Sequence, residues 1–109
     1  EFTADIGKKK GEKVDYAIIQ DGKPLILIEV KNHTENLDNH DKQLERYFTV
    51  TESRFGILTN GIEYRFYSDL DKPNKMDAKP FLVINLLNLK ERDIKELERF
   101  SKENADSWI

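Results

Sequence analysis

Residues Glu12 to Lys31 constrain this chain more than any other stretch. They read as two apolar strands joined by a tight turn at Gln20-Asp21-Gly22-Lys23, where Gly22 supplies the positive φ that hairpin loops need. Asp15 sits near the start of the first strand, and Glu29 and Lys31 end the second. Two residues apart on a strand, Glu29 and Lys31 leave the same face. Such charges are costly at the end of an apolar strand unless they are paired or hold a metal.

Parity then limits the turn. A two-residue Asp21-Gly22 loop carried straight through sets Val14 opposite Glu29 and turns Asp15 to the other face. A three-residue loop Gln20-Asp21-Gly22 with Gly22 as a G1 bulge, or an equivalent bulge, brings Asp15 and Glu29 to one face, on a diagonal within about 7–8 Å. Two carboxylates with a lysine alongside suit a hard divalent cation, because magnesium takes one or two carboxylates together with waters and a substrate phosphate.

Asp15 followed fourteen residues later by Glu29-Val30-Lys31 resembles the PD-(D/E)XK nuclease signature. Gln43-Leu44-Glu45-Arg46-Tyr47 is similar to the QxxxY element of one branch of that superfamily. The strings GEKVDYAII, ILIEVK and RFGILTNGIEYRFY resemble the N-terminal nuclease domain of type I restriction enzyme R subunits, over roughly Gly11 to Leu89. The resemblance implies a restriction-endonuclease-like α/β fold, a mixed central sheet of about five strands flanked by helices. It also implies Mg2+-dependent hydrolysis of DNA, with Mn2+ as a substitute. Asp15, Glu29 and the Val30 carbonyl are then the metal ligands and Lys31 the catalytic cation, while Gln43 and Tyr47 support the site. Further domains or subunits of a restriction system are the implied partners, in a prokaryotic cytoplasm.

At 109 residues the chain is read as one domain, 38% apolar and 36% charged. It begins Glu1-Phe2 without an initiator Met, and the family has a helix upstream, so a cut-down or processed piece is expected. A net charge of -3 argues against binding nucleic acid by bulk charge, so a basic footprint must be local. Lys8, Lys9, Lys10 and Lys13, close in sequence to Asp15, are either a solvated charge run or a phosphate-contacting loop. With no cysteine there is no disulfide framework and no thiolate zinc site. No apolar run approaches the roughly 20 residues of a membrane span. The sequence does not bear on oligomeric state.

The rest of the chain is read in order. Glu1 to Ile6 suits an edge strand. A helix is expected from Leu37 to Thr51 with Asn36 as N-cap and a core stripe of Leu37, Leu44, Phe48 and Thr51. On it Gln43 and Tyr47 share a face. Either Tyr47 packs and Gln43 satisfies backbone, or both face the metal; Arg46 either reaches DNA or makes a surface ion pair. His33 and His40 match no zinc spacing and read as surface residues. Asn60-Gly61 signals a second hairpin, with Ile62, Tyr64 and Phe66 inward and Arg65 and Tyr67 either a cross-strand surface pair or a nucleic-acid contact. Ser68 to Pro80 reads as a polar loop, Phe81 to Leu86 as a strand, and Lys90 to Glu103 as a helix carrying Ile94, Leu97 and Phe100. The rival function is a non-catalytic module that keeps the nuclease fold and binds DNA or a protein. A nucleotide- or carbohydrate-binding domain has no Gly-rich phosphate loop to support it.

Overall fold

The computed structural model describes residues 15–38 and 40–108, with side chains as far as residue 103. The Glu1–Ile6 strand and the Lys8, Lys9, Lys10 and Lys13 loop lie outside the described residues. Five strands form one sheet in the order β1 (Tyr16–Gln20), β2 (Lys23–Val30), β3 (Phe55–Thr59), β4 (Glu63–Tyr67), β5 (Leu82–Asn85). All neighbours are antiparallel except β2 and β3, which run parallel and are joined through helix α1 (Lys42–Thr51). That unit is the only one here needing a crossover, and the helix supplies it. A single 3-10 turn (Leu86–Asn88) leads into helix α2 (Glu91–Trp108). The expected α/β architecture with a mixed five-stranded sheet is therefore present. No helix among the described residues is long and apolar enough to cross a membrane.

Each helix covers one face. Beneath α1, Ala17, Leu27, Leu58 and Tyr67 from the sheet meet Leu44, Tyr47 and Phe48, together with Leu37 and Met76 from loops. On the other face Leu25, Ile26, Phe55, Phe66 and Ile84 pack with Phe100 of α2. The rings of Phe55 and Phe66 meet Phe100 edge to face, with centroids 5.0 and 5.7 Å away. Leu97 joins this cluster in part, but Ile94, expected in the stripe, is 47% exposed. Asp93 is buried instead, and its carboxylate accepts from the Lys90 amide at the helix start.

Helix α1 starts five residues later than the spacing suggests. Asn36 Oδ1 accepts from the Asp38 amide and the His40 amide donates to the Leu37 carbonyl, so this stretch is a set of turns. Leu37 still reaches the core, from the loop rather than the helix. In the 68–80 loop the acids serve the backbone: Asp77 accepts from the Leu70 and Asp71 amides and Asp69 from the Asn74 amide.

The approach of α1 to the sheet depends on Gly56. A Cβ there would lie 3.2 Å from Leu44 Cδ2 and 3.4 Å from Met76 Sδ. Gly56→Ala is expected to lower stability by about 1–2 kcal/mol. Denaturant titration checks this: the midpoint falls and the slope is unchanged.

Candidate active site at the end of the first hairpin

The site begins with the register of β1 on β2. The turn is a two-residue loop, not the three-residue one: Gln20 pairs with Lys23, with Asp21 at φ 53° and Gly22 at φ 80°. The register then shifts between Ile18 and Ile19, where Ile19 pairs with Pro24 but Ile18 pairs with Ile26. Leu25 is the extra residue of a bulge, beside a proline that has no amide to give the ladder. Beyond it Ala17 pairs with Leu27 and Tyr16 with Ile28. One further step sets Asp15 opposite Glu29 instead of on the diagonal. The bulge thus does what parity demanded.

At the end of this ladder Asp15 Oδ2 accepts from the Val30 amide at 2.7 Å. The amide and carbonyl of one strand residue point the same way, so the Val30 carbonyl also leaves β2 on the Asp15 side. Glu29 is 5% exposed, and among the described residues its buried Oε1 has no hydrogen-bond partner. Its Oε2 lies 3.5 Å from Lys31 Nζ, and the Lys31 amide donates to the Thr59 carbonyl at 2.7 Å. Burial pushes the Glu29 carboxyl above its ordinary value, the Asp15 charge adds to this, and Lys31 offsets part of it.

A buried carboxylate oxygen that finds no donor among the described residues is an expensive arrangement for a structural ion pair. It suits a divalent cation. Among the described residues no three His, Cys, Asp or Glu side chains gather around one point. Two carboxylates and a backbone carbonyl nonetheless make a donor set of the kind magnesium accepts, with waters and phosphate completing it.

Topology brings α1 to the same end. In a parallel crossover the helix runs back along the sheet, so its first turn lies by the C-terminal ends of β2 and β3. The Arg54 amide, just after α1, donates to the Leu25 carbonyl near the other end of β2, as that direction requires. Gln43 therefore belongs to the Glu29 end of the fold. Tyr47, one turn on, is 2% exposed within the cluster that holds Ala17 and Leu27, so it packs beneath the site. Arg46 is exposed on the groove between α1 and Asn74-Lys75. His33 is exposed, while His40 lies 3.7 Å from Glu35.

The second hairpin differs most from expectation. Tyr67 is buried at 2%, and Arg65 pairs with Glu63 of its own strand and, at 2.9 Å, with Asp38. Local sequence pattern does not group Asn60, Arg65 and Asp38, which the fold brings to one end of the sheet. The signal for Arg65 was the alternation of β4, whose odd positions Arg65 and Tyr67 fall on the same face as Glu29 once Glu29, Leu58 and Arg65 align across three strands.

The family model of the type I restriction enzyme R protein N terminus matches residues 1–75. The chain belongs to this family. No curated protein and no solved structure matches it. The family match spans the hairpin, α1 and β3–β4, and stops within the 68–80 loop, so every candidate site residue lies inside it.

Proposed function

We propose that this chain is a metal-dependent DNA endonuclease domain of the type I restriction R-subunit kind, hydrolysing phosphodiester bonds with Mg2+, or with Mn2+ in its place. The observation that carries this reading is the buried Glu29 Oε1, without a hydrogen-bond partner among the described residues, beside Asp15 and Lys31. Asp15, Glu29 and the Val30 carbonyl would hold the ion, with Asp15 Oδ2 already oriented by the Val30 amide. When bound, the ion supplies Lewis-acid polarisation of the scissile phosphate and a more acidic water.

The chain's own groups do the rest. Lys31, held near Glu29, orients the attacking water and offsets charge developing on the phosphate. Gln43 orients the water or a phosphate oxygen by its amide, and Tyr47 fixes the turn that carries Gln43 through its packing. Arg46, with Lys8, Lys9, Lys10 and Lys13, contacts the DNA backbone, which supplies affinity without base readout. Further domains or subunits of a restriction system are the remaining partners.

The test is cleavage of plasmid DNA with Mg2+ and with EDTA, for the wild type and for Asp15→Asn and Lys31→Met. Nicking that needs Mg2+ and drops about 10²–10³-fold in both variants is the expected result. DNA bound but uncut by wild type and variants alike makes the chain a binding module instead.

A further inference from the structure

We propose that the β3–β4 hairpin is a clamp that positions the active site, with Asn60 and Arg65 as its positioning residues. The clamp acts on the segment 32–41, which joins Lys31 to the turn carrying Gln43 and so sets the separation of two groups that must meet one phosphate. This rests on the proposed nuclease reading and adds to it a role for residues that contact neither metal nor DNA.

The segment crosses the ends of β2 and β3 and is tied to the hairpin along its length. At its start the Lys31 amide donates to the Thr59 carbonyl at 2.7 Å. In its middle Asn60 Nδ2 donates to the Glu35 carbonyl at 2.8 Å. Near its end Asp38 Oδ1 accepts from an Arg65 terminal nitrogen at 2.9 Å. Between the last two ties Leu37 is 2% exposed in the cluster that includes Tyr67. Within the strap the Glu35 carbonyl, Leu37 and Asp38 are therefore held one after another by this hairpin.

The hairpin is itself braced for this task. Asn60 Oδ1 accepts from the Ile62 and Glu63 amides, at 3.0 and 2.8 Å, so its amide nitrogen is left aimed at the strap. Thr59 Oγ1 donates to the Glu63 carbonyl and accepts from the Gly61 amide. Arg65 is fixed through Glu63 on its other side. Burial draws the Arg65 guanidinium down, but its bonds to Glu63 and Asp38 outweigh that and hold it above its ordinary value, so it stays a cation at every working pH. The strap is ordered within itself too: Asn32 and Glu35 exchange bonds, and Thr34 donates to Asn32 Oδ1. Residues 32–35 are thus braced locally, and the ties from Asn60 and Arg65 set the strap's pose.

Two variants cut the ties while leaving the hairpin intact. Asn60→Asp keeps the acceptor for both turn amides but replaces the donor to Glu35. Asp38→Ala removes an exposed carboxylate from Arg65, and Asp38→Asn is its conservative counterpart. Hydrogen exchange should show faster exchange across 32–41 with the β2 and β3 amides still protected. Under saturating Mg2+, kcat on plasmid DNA should fall about tenfold to 10²-fold with KM unchanged, since misplacement of reacting groups costs rate rather than binding. Asp38→Asn should recover most of the rate.

A loosened strap with wild-type kcat, or unaltered exchange in both variants, overturns the clamp. Failure of the wild type to cut any DNA overturns the nuclease reading, and the exchange data then still show whether the hairpin holds the strap. The two failures are thus separable.

Discussion

Glu29→Gln is expected to raise the thermal midpoint of the metal-free protein at neutral pH and to abolish the proposed Mg2+-dependent cleavage. Glu29 takes up its proton more readily in the folded protein than in the unfolded chain, because burial and Asp15 together outweigh Lys31. Below the unfolded value of 4.5 both states are protonated and the group is neutral to stability. As pH rises above 4.5 the unfolded chain ionises first, so an unfavourable cost builds up and is complete once pH passes the raised folded value. A glutamine removes that cost. The gain is on the order of 1 kcal/mol, or about 4–8 °C for a domain of this size, and it vanishes near pH 4. Excess Mg2+ should act in the opposite sense: if the proposed site binds it, a hundredfold excess over Kd stabilises the wild type by about 2.7 kcal/mol and the variant far less. Thermal scans of both proteins at pH 4 and pH 7, with and without Mg2+, measure all of this. A variant less stable than wild type at pH 7, or one that keeps the full Mg2+ shift, refutes the metal site.

The gathering of Asp15, Glu29 and Lys31 at one end of the hairpin was legible because strands leave so few ways to place three charges. Side-chain alternation and one turn sufficed to require that the acids share a face. What parity did not decide was the means. Asp21-Gly22 suits a type I′ loop and a G1 bulge equally, and only the packed sheet selects the two-residue loop with a bulge at Leu25. Pro24 was the available clue, since a residue with no amide belongs at an interruption in a ladder.

The start of α1 was harder for a related reason. The hydrogen bond Asn36 makes in its turn is locally the same as the one an N-cap makes. Whether helix follows is settled by tertiary pulls, here Leu37 into the core and Asp38 toward Arg65. Those partners are separated from the segment by some twenty-five residues of chain, beyond the reach of local pattern. The same distance hid Tyr67, whose alternation fits a wet face until α1 and Leu37 cover it.

Lys31→Met should separate the observed pairing of its ammonium group with Glu29 from the catalytic role proposed for it. As the charge beside Glu29, it lowers the cost of ionising a carboxylate whose side chain is only 7% exposed. Its loss leaves that charge uncompensated, a change worth about 3–5 kcal/mol for a fully buried pair. Lys31 keeps 24% of its side chain in water, so screening reduces the expected loss to about 1–2 kcal/mol at pH 7. The loss disappears below pH 4.5, where Glu29 is protonated in both states. As a catalytic group, the same ammonium should account for about 10²–10³-fold of the rate, and its removal should move the acid limb of the pH–rate profile upward, because Glu29 then ionises later. The double variant Glu29→Gln/Lys31→Met divides these effects. Removing both charges restores stability to the level of wild type or above, since neither is left unpaired, and it restores no cleavage. Recovery of both stability and cleavage in the double variant would reduce the pair to a structural salt bridge and place the chemistry elsewhere in the fold.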